Sequence, residues 1–152
     1  LINRGHDFAA FEDGYRRLRR LVPGALICVH IILGLPGEDG ETMMRTVRDV
    51  AALHPDQVKI HLLHVLKNTP MASMLLSGEY VPLIEEEYVS LVCRALTLLP
   101  PDTVVARVTG DGLADDLLAP LWSRRKTCVI NDIDKKLFAE GWYQGCFCEA
   151  GK

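Results

Sequence analysis

Two short apolar runs, Ile27 to Leu33 and Val58 to Leu63, flank a single helix-spaced segment, and this arrangement constrains the fold more than any other feature of the chain. Each run is rich in β-branched and aliphatic residues and too short for an ordinary helix, so each reads as a buried strand. Gly34-Leu35-Pro36-Gly37 closes the first run. Met43, Met44, Val47, Val50 and Ala51 then recur at helical spacing, with Asp39 or Gly40 near the N-cap and Pro55 past the end. A strand, a helix and a strand joined by short connections favour two parallel strands. The expected fold class is α/β, a layer or a barrel.

Other elements fit around this unit. Residues 13–21 read as the end of a helix stopped by Pro23-Gly24, and a short helix follows Thr69-Pro70 and ends near Gly78. A longer helix is expected from Leu83 to Leu99. Glu85, Glu86 and Glu87 suit its positive end, and Pro100-Pro101 stops it. Thr103 to Val108 reads as a third strand, Ile130 to Phe138 as a helix, and Gly145 to Lys152 as an unstructured tail.

With 152 residues, 49% hydrophobic and 24% charged, the chain can bury one real core. The net charge of −3 gives no global basic field for nucleic acid. A local patch at Arg16, Arg17, Arg19 and Arg20 remains, and it also reads as a solvated helix face. No apolar run reaches the roughly 18 residues that span a bilayer, and no signal peptide opens the chain. Five scattered cysteines suit reduced thiols in the cytoplasm rather than a disulfide framework. The start at Leu1-Ile2-Asn3-Arg4, without Met, reads as the beginning of an excised piece.

Strand parity separates two faces. Ile27, Val29, Ile31 and Leu33 share one face of the first strand, and Val58, Ile60 and Leu62 one face of the second. The opposite faces carry Cys28, His30 and Ile32, and Lys59, His61 and Leu63. A parallel sheet in an α/β protein is ordinarily apolar on both sides. Ionisable groups facing inward are costly without a partner, so His30, Lys59 and His61 are candidate substrate-facing residues. The alternative is that Lys59 and His61 lie at a rim and reach solvent.

Several motifs carry less. His61 and His64 are three apart on a strand, so alternation sets them on opposite faces and argues against a shared metal ion. Cys146-Phe147-Cys148 lacks the paired spacing of a zinc site. No metal ligands are assigned. The loop Gly34 to Glu38 opens a helix and allows close backbone approach to a ligand, yet it is neither a P-loop nor the GxGxxG fingerprint.

With its neighbours the loop becomes specific. His30-Ile31-Ile32-Leu33-Gly34-Leu35-Pro36-Gly37-Glu38 resembles the penultimate-strand motif of radical S-adenosylmethionine (SAM) barrels of the coproporphyrinogen-dehydrogenase and elongator-catalytic-subunit type. The resemblance implies that Ile32 packs on adenine and that Gly34 belongs to the cofactor site. Lys59-Ile60-His61-Leu62-Leu63-His64-Val65-Leu66-Lys67-Asn68-Thr69-Pro70 resembles the following strand and loop, where backbone at His64 and Val65 would contact adenine. Asn3-Arg4-Gly5-His6-Asp7 looks like the segment after the fourth strand of such enzymes. The likeness to the YhcC-like branch of radical SAM proteins extends over most of the chain. It includes Thr109-Gly110-Asp111-Gly112, Ala119-Pro120-Leu121-Trp122-Ser123 and the helix to about Asp134. The CxxxCxxC loop that binds the [4Fe–4S] cluster in this family has no counterpart here and would lie upstream.

The expectation is therefore the C-terminal portion of a partial (β/α)6 radical SAM barrel over residues 1–100, with a helical or irregular extension over residues 101–152. The resemblance implies SAM binding. In the full-length protein, with its [4Fe–4S] cluster, it implies generation of a 5′-deoxyadenosyl radical that abstracts hydrogen from a substrate. This chain alone is then inactive, and no catalytic residue is assigned. Two alternatives differ in class: a non-catalytic RNA-binding module using Arg16 to Arg20, since the elongator-type relatives act on tRNA, and a structural α/β module. Strand edges left open are a route to self-association.

Overall fold

Around the predicted strand–helix–strand unit, the computed structural model describes residues 5–110 and 115–149. Helix α1 (Phe8–Leu21) leads into strand β1 (Cys28–Leu33), helix α2 (Gly40–Ala51) and strand β2 (Gln57–Leu62). Strand β3 (Val65–Leu66), helices α3 (Pro70–Ser77) and α4 (Glu85–Leu98) and strand β4 (Val104–Arg107) follow. Strand β5 (Leu117–Ala119), a 3₁₀ turn (Leu121–Arg124) and helix α5 (Lys126–Glu140) complete the order. Asn3-Arg4, Asp111-Gly112 and the tail residues 150–152 lie outside the described residues.

Local chemistry explains most boundaries. Asp39, one of the two expected caps, accepts the Thr42 N–H at 2.7 Å, and this bond lowers its carboxyl pKa. Thr69 caps α3 in the same way, and Gly78 ends that helix at φ 78°. Helix α1 starts well before residue 13 because Asp7 caps it through the Ala10 N–H at 2.8 Å. The extra turn brings Phe11 onto the core.

The main sheet has order β1-β2-β4, and both pairings are parallel. Its third strand, β4, carries the sheet past residue 100. A small antiparallel pair, β3 with β5, sits beside it. One sheet face holds Val29, Ile31, Leu33, Val58, Ile60 and Leu62, all buried with Met44, Val47 and Val50 of α2 and Tyr88, Val92 and Leu96 of α4. Burying such a side chain contributes roughly 1.5–3 kcal/mol, so a one-residue slip of either strand forfeits several times that.

The N-terminal ends of the strands are tied at one residue. The Asp56 carboxylate accepts the Ile27 N–H at 2.7 Å and pairs with Arg19 at 2.6 Å, while its carbonyl accepts the Val104 N–H at 2.9 Å. The Ile27 bond first, then Arg19, holds the Asp56 carboxyl below its ordinary range.

The tail departs from expectation. Residues 145–149 are not loose, because they dock on the C-terminus of α4. Pro100 and Pro101 have no N–H, which leaves the Leu96 and Thr97 carbonyls without the donors a continuing helix would supply. The Gly145 N–H reaches Leu96 O at 3.1 Å, and the Phe147 N–H reaches Thr97 O at 2.9 Å. Gln144 Nε2 donates to the Pro100 and Thr103 carbonyls, both at 2.7 Å. Gly145 is required here: its φ is +79°, and a Cβ would lie 2.9 Å from Pro101 Cδ.

Candidate functional site: the polar face of the sheet

The face opposite the core carries the residues that parity assigned to it. His30 stands opposite Lys59, and Ile32 opposite His61, in the β1–β2 register. The His30 and His61 rings stack, with centroids 5.0 Å apart and planes at 29°. Ile32 is 39% exposed between two fully or nearly buried neighbours, Ile31 and Leu33. An aliphatic side chain open on a polar face offers a flat ligand an apolar surface.

A cavity of about 630 Å³ opens along this face and around the β1 edge, within the range usual for small-molecule sites. His30, Ile32, His61 and His64 line it, with Glu38 and Asp7 among the other walls. Glu38, from the glycine loop, was not singled out in the sequence; burial raises its carboxyl pKa.

His61 and His64 both line the cavity, which also takes in core-face residues such as Ile31 and Leu62 at its edge. Strand β2 ends at Leu62, so residue 64 no longer obeys the strand period. Burial, above all, lowers both imidazole pKa values. His30, Arg107, Lys59 and His64 add to the effect at His61, and Lys126 at His64. Among the described residues, Nε2 of neither ring has a hydrogen-bond partner. The His64 ring rests on Gly110, where a Cβ would come within 2.9 Å of Cε1. That seat was not legible as a site residue in the sequence.

The other assigned positions sit differently. Gly34 is buried at φ +87°. Its N–H meets Met43 Sδ at 3.2 Å, its carbonyl accepts from Tyr80 Oη at 2.7 Å, and a Cβ would stand 3.0 Å from Leu83 Cδ1. The glycine is thus needed for the turn and for Leu83. Val65 is fully buried in a second small cluster with Ala72 and Tyr80 and pairs with Ala119. Neither residue lines the cavity.

The basic helix face is already committed. Arg16 pairs with Glu12 at 2.7 Å, Arg17 with Asp13 at 3.7 Å and Arg19 with Asp56. Among the described residues, no cluster of three or more His, Cys, Asp or Glu side chains is placed to hold a metal ion. No described helix is long and apolar enough to cross a membrane.

The two depressed imidazoles set an acid sensitivity. Unfolding restores the ordinary pKa near 6.5, so below it the unfolded chain binds protons that the folded chain does not. Stability present above that value is lost as pH falls toward the folded values. Urea midpoints should decrease from about pH 7.5 to about pH 5.5, and less steeply in a His61→Asn, His64→Asn double variant. An unchanged slope in that variant would remove the two rings as its cause.

The Radical_SAM C-terminal domain family matches residues 55–139. YtqA of Bacillus subtilis is 45% identical over 97% of this chain, and YhcC of Escherichia coli K12 is 31% identical over 92% of it. The chain covers 45% of each of these relatives, so it spans less than half of their length. A tRNA uridine(34) acetyltransferase of Methanocaldococcus jannaschii is 30% identical over 71% of this chain and 20% of its own. The solved structure of Methanocaldococcus infernus Elp3 superposes with a TM-score of 0.75 at 21% identity. It covers 93% of this chain and 33% of that one, a likeness of fold. The matched region takes in β2, the His64 seat and helix α4 behind the sheet, and it fills more than half of the sequence. The chain therefore belongs to the Radical_SAM C-terminal domain family.

Proposed function

We propose that this chain forms the adenine-side wall of a SAM site in a radical SAM enzyme. The observation that carries this reading is the exposed Ile32 beside half-buried His61, on the polar face of a sheet whose other face is all core. An adenine ring would cover the aliphatic surface of Ile32, removing it from water. The unpartnered Nε2 atoms of His61 and His64 suit a ligand that brings its own polar edge. Gly34 and Val65 would act by shaping the end of β1 and the turn into β3, and backbone at His64 would meet the ring edge.

With a [4Fe–4S] cluster held elsewhere in the full-length protein, SAM seated here would supply one-electron chemistry for abstracting hydrogen from a substrate. Within this chain, Ile32 orients the nucleoside, the imidazoles hold its polar groups, and the apolar rim limits access of water. The cluster ligands would lie outside this chain, which is then inactive alone. The five free thiols suit the reducing cytoplasm, where we place the protein. RNA as substrate is the second reading. It rests on the relative named as a tRNA uridine(34) acetyltransferase. The arginines of α1 add little to it, since at least three of the four are paired.

Two experiments test this. In the full-length polypeptide, Ile32→Asp places a carboxylate where adenine should pack, and SAM affinity by calorimetry should fall about tenfold to a hundredfold. Asn68→Asp, at an exposed turn, should change it little, with circular dichroism confirming that both variants fold. Equal affinity in a folded Ile32→Asp variant would take Ile32 out of the site. Separately, anaerobic reconstitution of this chain alone with iron and sulfide should load no stoichiometric cluster by visible absorbance. A cluster held by Cys146 and Cys148 would contradict the assignment of its ligands elsewhere.

A further inference from the structure

Backbone conformation gives residue 110 no reason to be glycine. Its φ is not positive, unlike those of Gly34 and Gly145, so its backbone suits an ordinary side chain. What a side chain would meet is a single group. A Cβ at Gly110 would lie 2.9 Å from Cε1 of His64 and 3.5 Å from its Nδ1 and Nε2, and these ring atoms are its three nearest neighbours from elsewhere in the fold. The imidazole is therefore the constraint on this position.

Both backbones at the contact are pinned, which leaves the ring as the part that yields. Tyr88, fully buried on α4, donates through Oη to Val108 O at 2.9 Å, two residues before Gly110. The Leu63 N–H donates to Leu33 O at 3.0 Å just before His64. Val65, just after it, is fully buried and paired with Ala119. Carbon atoms pack at about 3.5–4 Å, so a Cβ at residue 110 would drive the ring away by roughly 0.6 Å or more. His64 lines the cavity and Gly110 does not, so the open space before the ring is the cavity itself. His64 and Gly110 follow the C-terminal ends of β2 and β4, which are parallel neighbours. Open α/β sheets bind their ligands beyond those ends.

We propose that Gly110 is a positioning residue of the proposed SAM site: lacking a side chain, it lets the His64 ring stand back and keeps the cavity wide enough for the nucleoside. The inference rests on the SAM reading and adds to it a residue outside the cavity lining.

The seat is tested first without SAM, in the full-length polypeptide. Gly110→Ala should shift the NMR resonance of the His64 Cε1–H group. Gly24→Ala, at an exposed position where an added carbon has nothing within 4 Å, should not. Calorimetry then reads SAM affinity, with circular dichroism to confirm folding. Gly110→Ala should weaken binding about tenfold. In a His64→Ala background the same change should weaken it less than about twofold, because the ring that collides is gone. A glycine needed only for folding would lose as much affinity in either background. An unmoved His64 resonance, or equal losses with and without the ring, would overturn the proposal while leaving SAM binding by the unsubstituted protein intact. No SAM binding by the unsubstituted protein would strike the SAM reading and this role of Gly110 with it, even where the resonance moves.

Discussion

Parallel pairing of β1 with β2 decides which side chains meet the helices and which stand on the opposite face of the sheet. Asp56 anchors that pairing at its base. One residue binds the Ile27 N–H at the approach to β1, precedes β2 directly, and receives the Val104 N–H of β4 through its carbonyl. Arg19 of α1 closes the same knot. With the lower ends held, burial of Val29, Ile31, Leu33, Val58, Ile60 and Leu62 enforces the register upward, residue by residue. The stacked His30 and His61 and the open Ile32 follow from that register.

The upper ends of the strands are held from the other side of the molecule. Tyr80 Oη donates to Gly34 O, Tyr88 Oη to Val108 O, and Trp122 Nε1 to Leu83 O. These aromatic donors come from the turn before α4, from α4 itself and from the 3₁₀ turn after β5, so the C-terminal half ties down the loops beyond the strands. The docked tail belongs to the same layer, since it satisfies carbonyls that Pro100 and Pro101 strand at the end of α4. The polar face contributes little to stability. The His61 and His64 rings are half-buried, and among the described residues their Nε2 atoms have no hydrogen-bond partner, which costs rather than adds stability.

Where local pattern determines structure, the sequence was readable. β-Branched runs marked the strands, Asp39 and Thr69 marked helix starts, and period-two alternation separated Ile31 from Ile32. Long-range pairing left no such mark. Strands β3 and β5 are short and lie far apart in the chain, so nothing local announces them. Alternation also gives no hint that the pairing of β4 with β2 skips Ala106 and sets Arg107 opposite Lys59. His64 lies two residues past the end of β2, where strand alternation no longer determines the direction of a side chain. The tail had a signal in the two prolines, which implied that outside donors must reach Leu96 and Thr97, although they could not say which.

Amide hydrogen exchange on the full-length polypeptide, with and without SAM, tests the central claim most directly. Binding against Ile32 and the His64 turn should slow exchange in residues 30–38 and 61–66, with little change along the α1 face. Slowed exchange confined to other segments, with these two unaffected at saturating SAM, would contradict the account.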